Sequence, residues 1–280
     1  GMLWAMPRAH NDDIQLEYES FGSPDEPALV CLPGNGNQLL LFPEEFCEAF
    51  VGRGFHVIRM DNRDAGLSST TSDSADYTLS DMADEVIAVL DAADVDVAVV
   101  LGVSLGGMIA QSTAIGHPDR VRALVSIMST TGESGIGMPT PEAMDALIAE
   151  PAATIGDQVD QDLEARRLWS NPDWFDEAQM RAYFTSCYER SWVPGGSGRQ
   201  LQAIVRSGDR AAGLAALPMP ALVVHGENDT LIHPSGGART AELIPDAELL
   251  VIEGMSHDFV YQAWPPIIEA VTALTARTFG

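Results

Sequence analysis

The stretch from Val95 to Ile115 limits the possible folds more than any other, because its side-chain pattern changes twice in quick succession. Asp96-Val97-Ala98-Val99-Val100-Leu101 is a short, largely apolar run rich in β-branched residues, which suits a strand covered on both faces of a parallel sheet. Gly102-Val103-Ser104-Leu105-Gly106-Gly107 interrupts it. Met108, Ile109, Ala110 and Ala114 resume at helical spacing, and His117-Pro118 ends the helix because proline has no N–H to offer a further turn. Ser104 therefore falls on a tight turn between a buried strand and a helix.

Glycines two residues either side of Ser104 make the G-x-S-x-G pattern of a nucleophile elbow, in which small neighbours leave room for a strained backbone and expose the hydroxyl. The pattern alone is unspecific, and the strand before it and the helix after it supply the context it needs. At a helix N-terminus the free N–H groups and the positive end of the macrodipole favour an anionic oxygen, which acyl transfer generates. The bland alternative is an ordinary glycine-rich turn.

The chain of 280 residues, 46% hydrophobic, is long enough for one α/β domain with an insertion. Its 41 acidic and 15 basic residues leave a formal charge of −26, which repels nucleic acid and anionic membrane surfaces, so neither is expected as a partner. Every basic residue is arginine, which excludes a lysine Schiff base and a Walker-type phosphate lysine. Cys31, Cys47 and Cys187 are odd in number and far apart, and are expected as core thiols, not as a disulfide framework or a metal site. No apolar stretch reaches the length of a membrane span, and the N-terminus lacks the basic and apolar regions of a signal peptide, so a cytoplasmic location is expected. Gly1-Met2 reads as a tag remnant before a native start.

In chain order, residues 12–22 alternate apolar and polar side chains, the pattern of an edge strand with one solvated face. Ala28 to Leu32 reads as an interior strand that ends in Pro33-Gly34-Asn35-Gly36-Asn37, a loop whose residues tolerate positive φ and can turn N–H groups inward; a second oxyanion donor is expected there. A helix from Phe42 to Val51 and a strand from Phe55 to Met60 follow, then a turn-rich loop from Asp61 to Ser68. Ser80 with Asp81 is expected to cap a helix whose Met82, Val86, Val89 and Leu90 form a stripe. Beyond the strand Val121 to Met128 the alternation stops, giving an expected division into an α/β core of residues 1–130 and 216–280 and a helical cap of residues 131–215. Such a cap would lie over the carboxyl edge of the sheet, and its aromatics, Trp169, Trp174, Phe175, Tyr183, Phe184, Tyr188 and Trp192, could line an apolar pocket or simply pack the cap down.

The sheet resumes with Ala221 to His225 and ends with Ala247 to Ile252; Asp229 and His257 fall just beyond these two strands. In a parallel sheet all carboxyl ends share one edge, so Ser104, Asp229 and His257 can converge as nucleophile, orienting acid and base, in that chain order. His257 is preferred because it alone of the six histidines occupies the loop after the last strand, with His233 as substitute; Asp229 is preferred over Glu227 and Asp258.

With these residues in order, the chain resembles the α/β-hydrolase superfamily over essentially its whole length. The Ser104 elbow, the Pro33-Gly34-Asn35 loop in the place of the usual His-Gly-x, the Asp61-x-Arg63-x-x-Gly66-x-Ser68 segment, Asp229 and His257 carry the resemblance. Asp61-Asn62-Arg63-Asp64-Ala65-Gly66 and Gly254-Met255-Ser256-His257 look most similar to the aclacinomycin methylesterase group of polyketide-tailoring esterases. The resemblance implies a mostly parallel doubly wound sheet with a cap, Ser104, Asp229 and His257 as catalytic residues, and the N–H groups of Leu105 and Asn35 as the oxyanion hole. Pro33 departs from the family's histidine, a change that a backbone donor can survive. Arg63 is expected to organise its loop without touching substrate. The expected activity is hydrolysis of a small-molecule, largely apolar carboxylic ester without metal or cofactor. A carbon–carbon bond hydrolase, a lactonase, an amidase or a perhydrolase would keep the same triad, a non-enzymatic ligand-binding protein would keep the fold and pocket, and monomer and homodimer both remain open.

Overall fold

The computed structural model describes residues 8–278, so Gly1-Met2 and the signal-peptide reading of the extreme N-terminus lie outside the described residues. Its centre is an eight-stranded sheet in the order β1-β2-β4-β3-β5-β6-β7-β8, built from β1 (Arg8–Asn11), β2 (Ile14–Phe21), β3 (Ala28–Leu32), β4 (His56–Met60), β5 (Ala98–Val103), β6 (Val121–Ile127), β7 (Ala221–Gly226) and β8 (Glu248–Ile252). From β4 to β8 all neighbours are parallel, and β2 joins β4 antiparallel. Interior strands are apolar on both faces because both faces are covered: along β3, Ala28, Val30 and Leu32 enter one core while Leu29 and Cys31 enter the other. The first core is closed by α2 (Leu79–Ala92) and α3 (Leu105–Gly116), the second by α1 (Glu44–Val51) and α10 (Trp264–Thr278). All three cysteines are free and buried, and burial pushes the thiols of Cys47 and Cys187 up to about 12.

Three local expectations change. The 12–22 strand is not an edge: Asp12, at φ 50°, turns the chain so that β1 pairs antiparallel outside β2, and Leu16, Glu17 and Tyr18 become buried. The cap of α2 is Thr78, not Ser80; its hydroxyl accepts from the Asp81 N–H while the Asp81 carboxylate accepts from the Thr78 N–H, a reciprocal capping box. The strand before Ser104 starts at Ala98, two residues later than the apolar run, because the carbonyls of Val95 and Asp96 accept from the Arg120 guanidinium at 3.0 and 2.6 Å.

Between β6 and β7 the chain forms only helices, α4 (Pro141–Leu147), α5 (Ile155–Trp169), α6 (Glu177–Arg190), α7 (Gly196–Ser207) and α8 (Ala211–Leu214). A helix α9 (Ser235–Leu243) precedes β8. No helix among the described residues is long and apolar enough to cross a membrane.

The loop after β8 is anchored from below by aromatic packing. Phe259 sits with its ring centroid 5.3 Å from Phe42 and 5.1 Å from Phe46, and Phe46 also meets Phe50 and Trp264 edge-on at 5.2 and 5.5 Å. Truncating Phe46 to alanine removes the ring that joins α1, α10 and this loop. Phe46→Ala is expected to lower stability by about 3–5 kcal/mol, read as a reduced midpoint in urea unfolding.

Candidate active site

Ser104 stands at the carboxyl end of β5 as the N-cap of α3, with φ 58° and ψ −117°. A side-chain-bearing residue is rarely found at positive φ, and the cost is on the order of 1–3 kcal/mol, met by the surrounding structure. Here its N–H donates to the Ile127 carbonyl at 2.9 Å, and its carbonyl accepts from the Met108 N–H at 3.2 Å and from the Ser129 hydroxyl at 2.9 Å. The flanking glycines are sterically required. A Cβ on Gly102 would lie 1.9 Å from the Gly106 carbonyl oxygen, and one on Gly106 would lie 2.0 Å from that of Leu32. Leu105 is the first residue of α3, where the helix supplies no acceptor for its N–H.

The Pro33–Asn37 loop lies directly against this turn, since a Cβ on Gly34 would touch Ser104 Cβ and the Val103 oxygen at 3.4 Å. Asn35 is the next residue along the loop and follows Gly34 past the serine. Its side-chain Oδ1 is buried without a hydrogen-bond partner.

Two and three strands further across the sheet, the loops after β7 and β8 bring Asp229 and His257 together. His257 Nδ1–H donates to Asp229 Oδ2 at 2.7 Å, and Asp229 Oδ1 accepts from the N–H groups of Leu231 and Ile232 at 2.9 and 2.8 Å. Both side chains are buried. Because a carboxylate only accepts, the hydrogen on His257 stands on Nδ1 and Nε2 is left as the basic nitrogen. Burial pushes the Asp229 carboxyl up, but the positive charge that His257 carries once protonated, its hydrogen bond and the neighbouring His225 outweigh it and hold the group well below the usual carboxylate range. Among the described residues no hydrogen bond joins the Ser104 hydroxyl to His257, a contact that in substrate-free hydrolytic sites often tightens only on binding. His233 is exposed and engaged with Ser235, Glu227 is exposed, and Asp258 accepts from the Asn171 N–H at 2.6 Å, so none competes for these positions.

Sequence comparison agrees with this architecture: residues 27–263 match the family described as alpha/beta hydrolase fold. The chain belongs to that family. It is 28% identical to the rhodomycin D methylesterase DauP of Streptomyces sp. strain C5, over 94% of this chain and 96% of that protein. It is 30% identical to the 2-hydroxymuconate semialdehyde hydrolase of Pseudomonas sp. strain CF600, over 79% of this chain and 74% of that protein. The crystal structure of the esterase RhEst1 from Rhodococcus sp. ECU1013 superposes with a TM-score of 0.83 at 21% identity, over 98% of this chain and all of that one.

Within this α/β hydrolase, several residues of the site were not distinguished by sequence. His225, at the end of β7, donates from Nε2 to the Ile232 carbonyl at 2.8 Å and stands 3.5 Å from Asp229 Oδ2. Ser129 braces the Ser104 carbonyl. The loop carrying His257 is tied to the end of α5 and the residues after it: the His257 N–H donates to the Trp169 carbonyl at 2.8 Å, Arg166 donates to the His257 carbonyl at 3.3 Å, and Asn171 Nδ2 donates to the Gly254 carbonyl at 2.5 Å. A backbone carbonyl acting across many residues leaves no mark on side-chain pattern. Arg63 turns away from the site: its Nε donates to Glu85 at 2.6 Å and its guanidinium covers the Tyr77 ring at 4.4 Å.

A cavity of about 180 Å³ opens between the Asn35–Gln38 loop, residues Asp64–Gly66 and the inserted helices. It touches the site at Asn35 and Trp169, while Ser104 and His257 lie outside its lining. Trp169, Tyr183, Phe184, Tyr188 and Trp192 face it, as the aromatic pattern suggests. Trp174 instead packs over Gly254, and Phe175 lies under the Arg167 guanidinium at 4.7 Å. The expectation of an apolar pocket is corrected, because Asn37, Gln38, Gln161, Asp162 and Arg166 also line the wall. Helix periodicity brings Gln158, Asp162 and Arg166 of α5 onto the same side as Trp169.

The depressed Asp229 carboxyl contributes stability that is fully present above its unfolded value of about 3.9 and is lost as pH falls through its folded value. The unfolding free-energy difference between wild type and Asp229→Asn is therefore expected to shrink as pH is lowered from 5 to 3. A difference that grows on acidification would contradict the assignment of this ion.

Proposed function

We propose that this α/β hydrolase cleaves carboxylic esters through an acyl-enzyme intermediate on Ser104. The observation that carries the reading is the buried Asp229–His257 hydrogen bond of 2.7 Å, on the sheet edge that also bears the strained Ser104, with the three residues in the chain order of the family. Ser104 Oγ attacks the acyl carbon as His257 Nε2 takes its proton, and the N–H groups of Leu105 and Asn35 receive the developing oxyanion. Collapse of the tetrahedral intermediate breaks the acyl C–O bond, and His257 returns the proton to the departing alcohol oxygen. Water then attacks the acyl-enzyme with His257 again as base, which releases the acid and restores the serine. Asp229 holds the imidazole in the Nδ1–H tautomer and stabilises the imidazolium in both halves.

The cycle draws on a small-molecule ester and water alone. An apolar cavity of about 150 Å³ admits one benzene-sized ring, so the 180 Å³ beside Asn35 suits one ring-sized moiety of the ester. Its amide and carboxylate groups favour a moiety bearing hydroxyl or carbonyl groups over a plain hydrocarbon. Similarity to a methylesterase over 94% of the chain supports a methyl ester, with the small alcohol leaving and the acid carrying the ring. The same polar wall and the 30% identity to a semialdehyde hydrolase favour carbon–carbon bond hydrolysis as the second reading.

On methyl and p-nitrophenyl esters, Ser104→Ala is expected to lower kcat by about 10⁴–10⁶-fold. A fluorophosphonate is expected to add one covalent adduct to wild type, located on Ser104 by peptide mass spectrometry. Unchanged turnover in the variant would overturn the mechanism, and turnover confined to vinylogous diketones would select the second reading.

A further inference from the structure

The loop bearing Asn35 is held at its two ends by the core and in its middle by the inserted helices. Asn62 Nδ2 donates to the Pro33 carbonyl at 3.0 Å, and Asp61 accepts from the Leu39 N–H at 2.7 Å. Between these points the partners change. The Gly36 N–H donates to Gln200 Oε1 at 2.8 Å, and Gln200 Nε2 donates onward to the Arg63 carbonyl at 2.7 Å. The Asn35 carbonyl accepts from Asn37 Nδ2 at 3.0 Å, and Asn37 Oδ1 accepts from the Tyr183 hydroxyl at 3.0 Å. Gln200, on α7, is fully buried, and Tyr183 belongs to α6.

The Asn35 carbonyl and the Gly36 N–H are the two polar groups of one planar peptide unit. Both are engaged, one through Gln200 and one through the Asn37–Tyr183 pair, so this plane cannot rotate without breaking two hydrogen bonds. The loop supplies part of this restraint itself, since the Asn37 N–H donates to the Gly34 carbonyl at 3.1 Å and closes a turn with Gly36 at φ 67°, but glycines at 34 and 36 leave that turn little stiffness without the helices. Helix α7 reaches the loop because it begins in glycine. A Cβ on Gly196 would lie 2.1 Å from the Asp64 carbonyl oxygen, and one on Gly36 would meet Ser197 Cβ at 3.1 Å.

We propose that Gln200 is a positioning residue for the hydrolytic reaction: together with Tyr183 acting through Asn37, it holds the Gly34–Asn37 turn, whose Asn37 N–H to Gly34 carbonyl bond of 3.1 Å fixes the preceding peptide plane and so aims the Asn35 N–H at the oxyanion. The inference rests on the acyl-enzyme reading with Ser104 as nucleophile. An oxyanion donor acts on the transition state far more than on the bound ester, so its misplacement lowers kcat and leaves KM largely unchanged. The inserted helices thus take part in the chemistry as well as enclosing the substrate.

The test measures kcat and KM on p-nitrophenyl acetate, with the inhibition constant of phenylboronic acid, whose serine adduct places an oxygen in the oxyanion position. Gln200→Leu is expected to lower kcat about 10–100-fold, to weaken boronate inhibition by a similar factor and to hold KM within about threefold. Tyr183→Phe, which keeps the ring, is expected to lower kcat about 3–10-fold with the same split. In Gln200→Glu, kcat relative to wild type is expected to rise as pH is lowered, because a protonated carboxyl both accepts from Gly36 and donates to Arg63 as the amide does. A folded Gln200→Leu with kcat and boronate inhibition within twofold of wild type would overturn the proposal, and so would a raised KM with kcat unchanged. If Gln200→Leu does not fold, the other two variants decide by the same readings. Absence of Ser104-dependent turnover in wild type would remove the acyl-enzyme reading and this inference with it, whereas Ser104-dependent turnover indifferent to all three variants would remove the inference alone.

Discussion

The positive φ of Ser104 is the constraint on which the rest of the site depends. A serine there is stable only while the chain on each side can pass closer than any side chain would allow, and Gly102 and Gly106 provide that approach toward each other and toward Leu32. The turn is also braced from outside by the Ile127 carbonyl and the Ser129 hydroxyl, both on the β6 side. The elbow is therefore a property of three adjacent strands, and any slip in their register would release the serine into an ordinary backbone conformation without the exposed hydroxyl.

Fastening of the inserted helices onto the core depends on buried charge. Asp61 accepts from Leu39, from Leu67 at 2.9 Å and from Arg190 at 2.7 Å, while Asp64 accepts from Thr71, Tyr77 and Arg199. Burial pushes the Asp61 carboxyl up even with Arg190 against it. Buried pairs of this kind contribute little net stability but are costly to break singly, by about 3–5 kcal/mol, so they specify one seating of the helices. The same aspartates shape the loop below: a Cβ on Gly66 would lie 2.1 Å from Asp61 Oδ2, which explains glycine at that position. The motif from Asp61 to Ser68 is thus a structural joint between core, inserted helices and the Asn35 loop.

Much of the core was legible because its physics is local. Unbroken apolar runs marked strands covered on both faces, glycine spacing marked the elbow, and loops after β7 and β8 marked Asp229 and His257 through the rule that parallel strands share a carboxyl edge. Where local pattern misled, a distant partner had intervened. Arg120 withdrew two carbonyls from the start of β5, and β1 covered the outer side of β2. The polar wall of the cavity was hidden for a related reason, since Val159 and Leu163 of α5 pack against Phe184 of α6 and leave Gln158, Gln161, Asp162 and Arg166 to line the cavity.

By itself the sequence determined the parallel α/β architecture, the elbow and the chain order of the serine, the acid and the histidine, because strand burial, glycine sterics and chain direction are written in short segments. Only the tertiary structure decided which groups hold those residues in place. Trp169 behind His257, and Gln200 and Tyr183 around the Asn35 loop, act through single hydrogen bonds across tens to well over a hundred positions. Such bonds form where packing brings a donor to an acceptor, and neither partner needs a distinctive neighbour in sequence to make one.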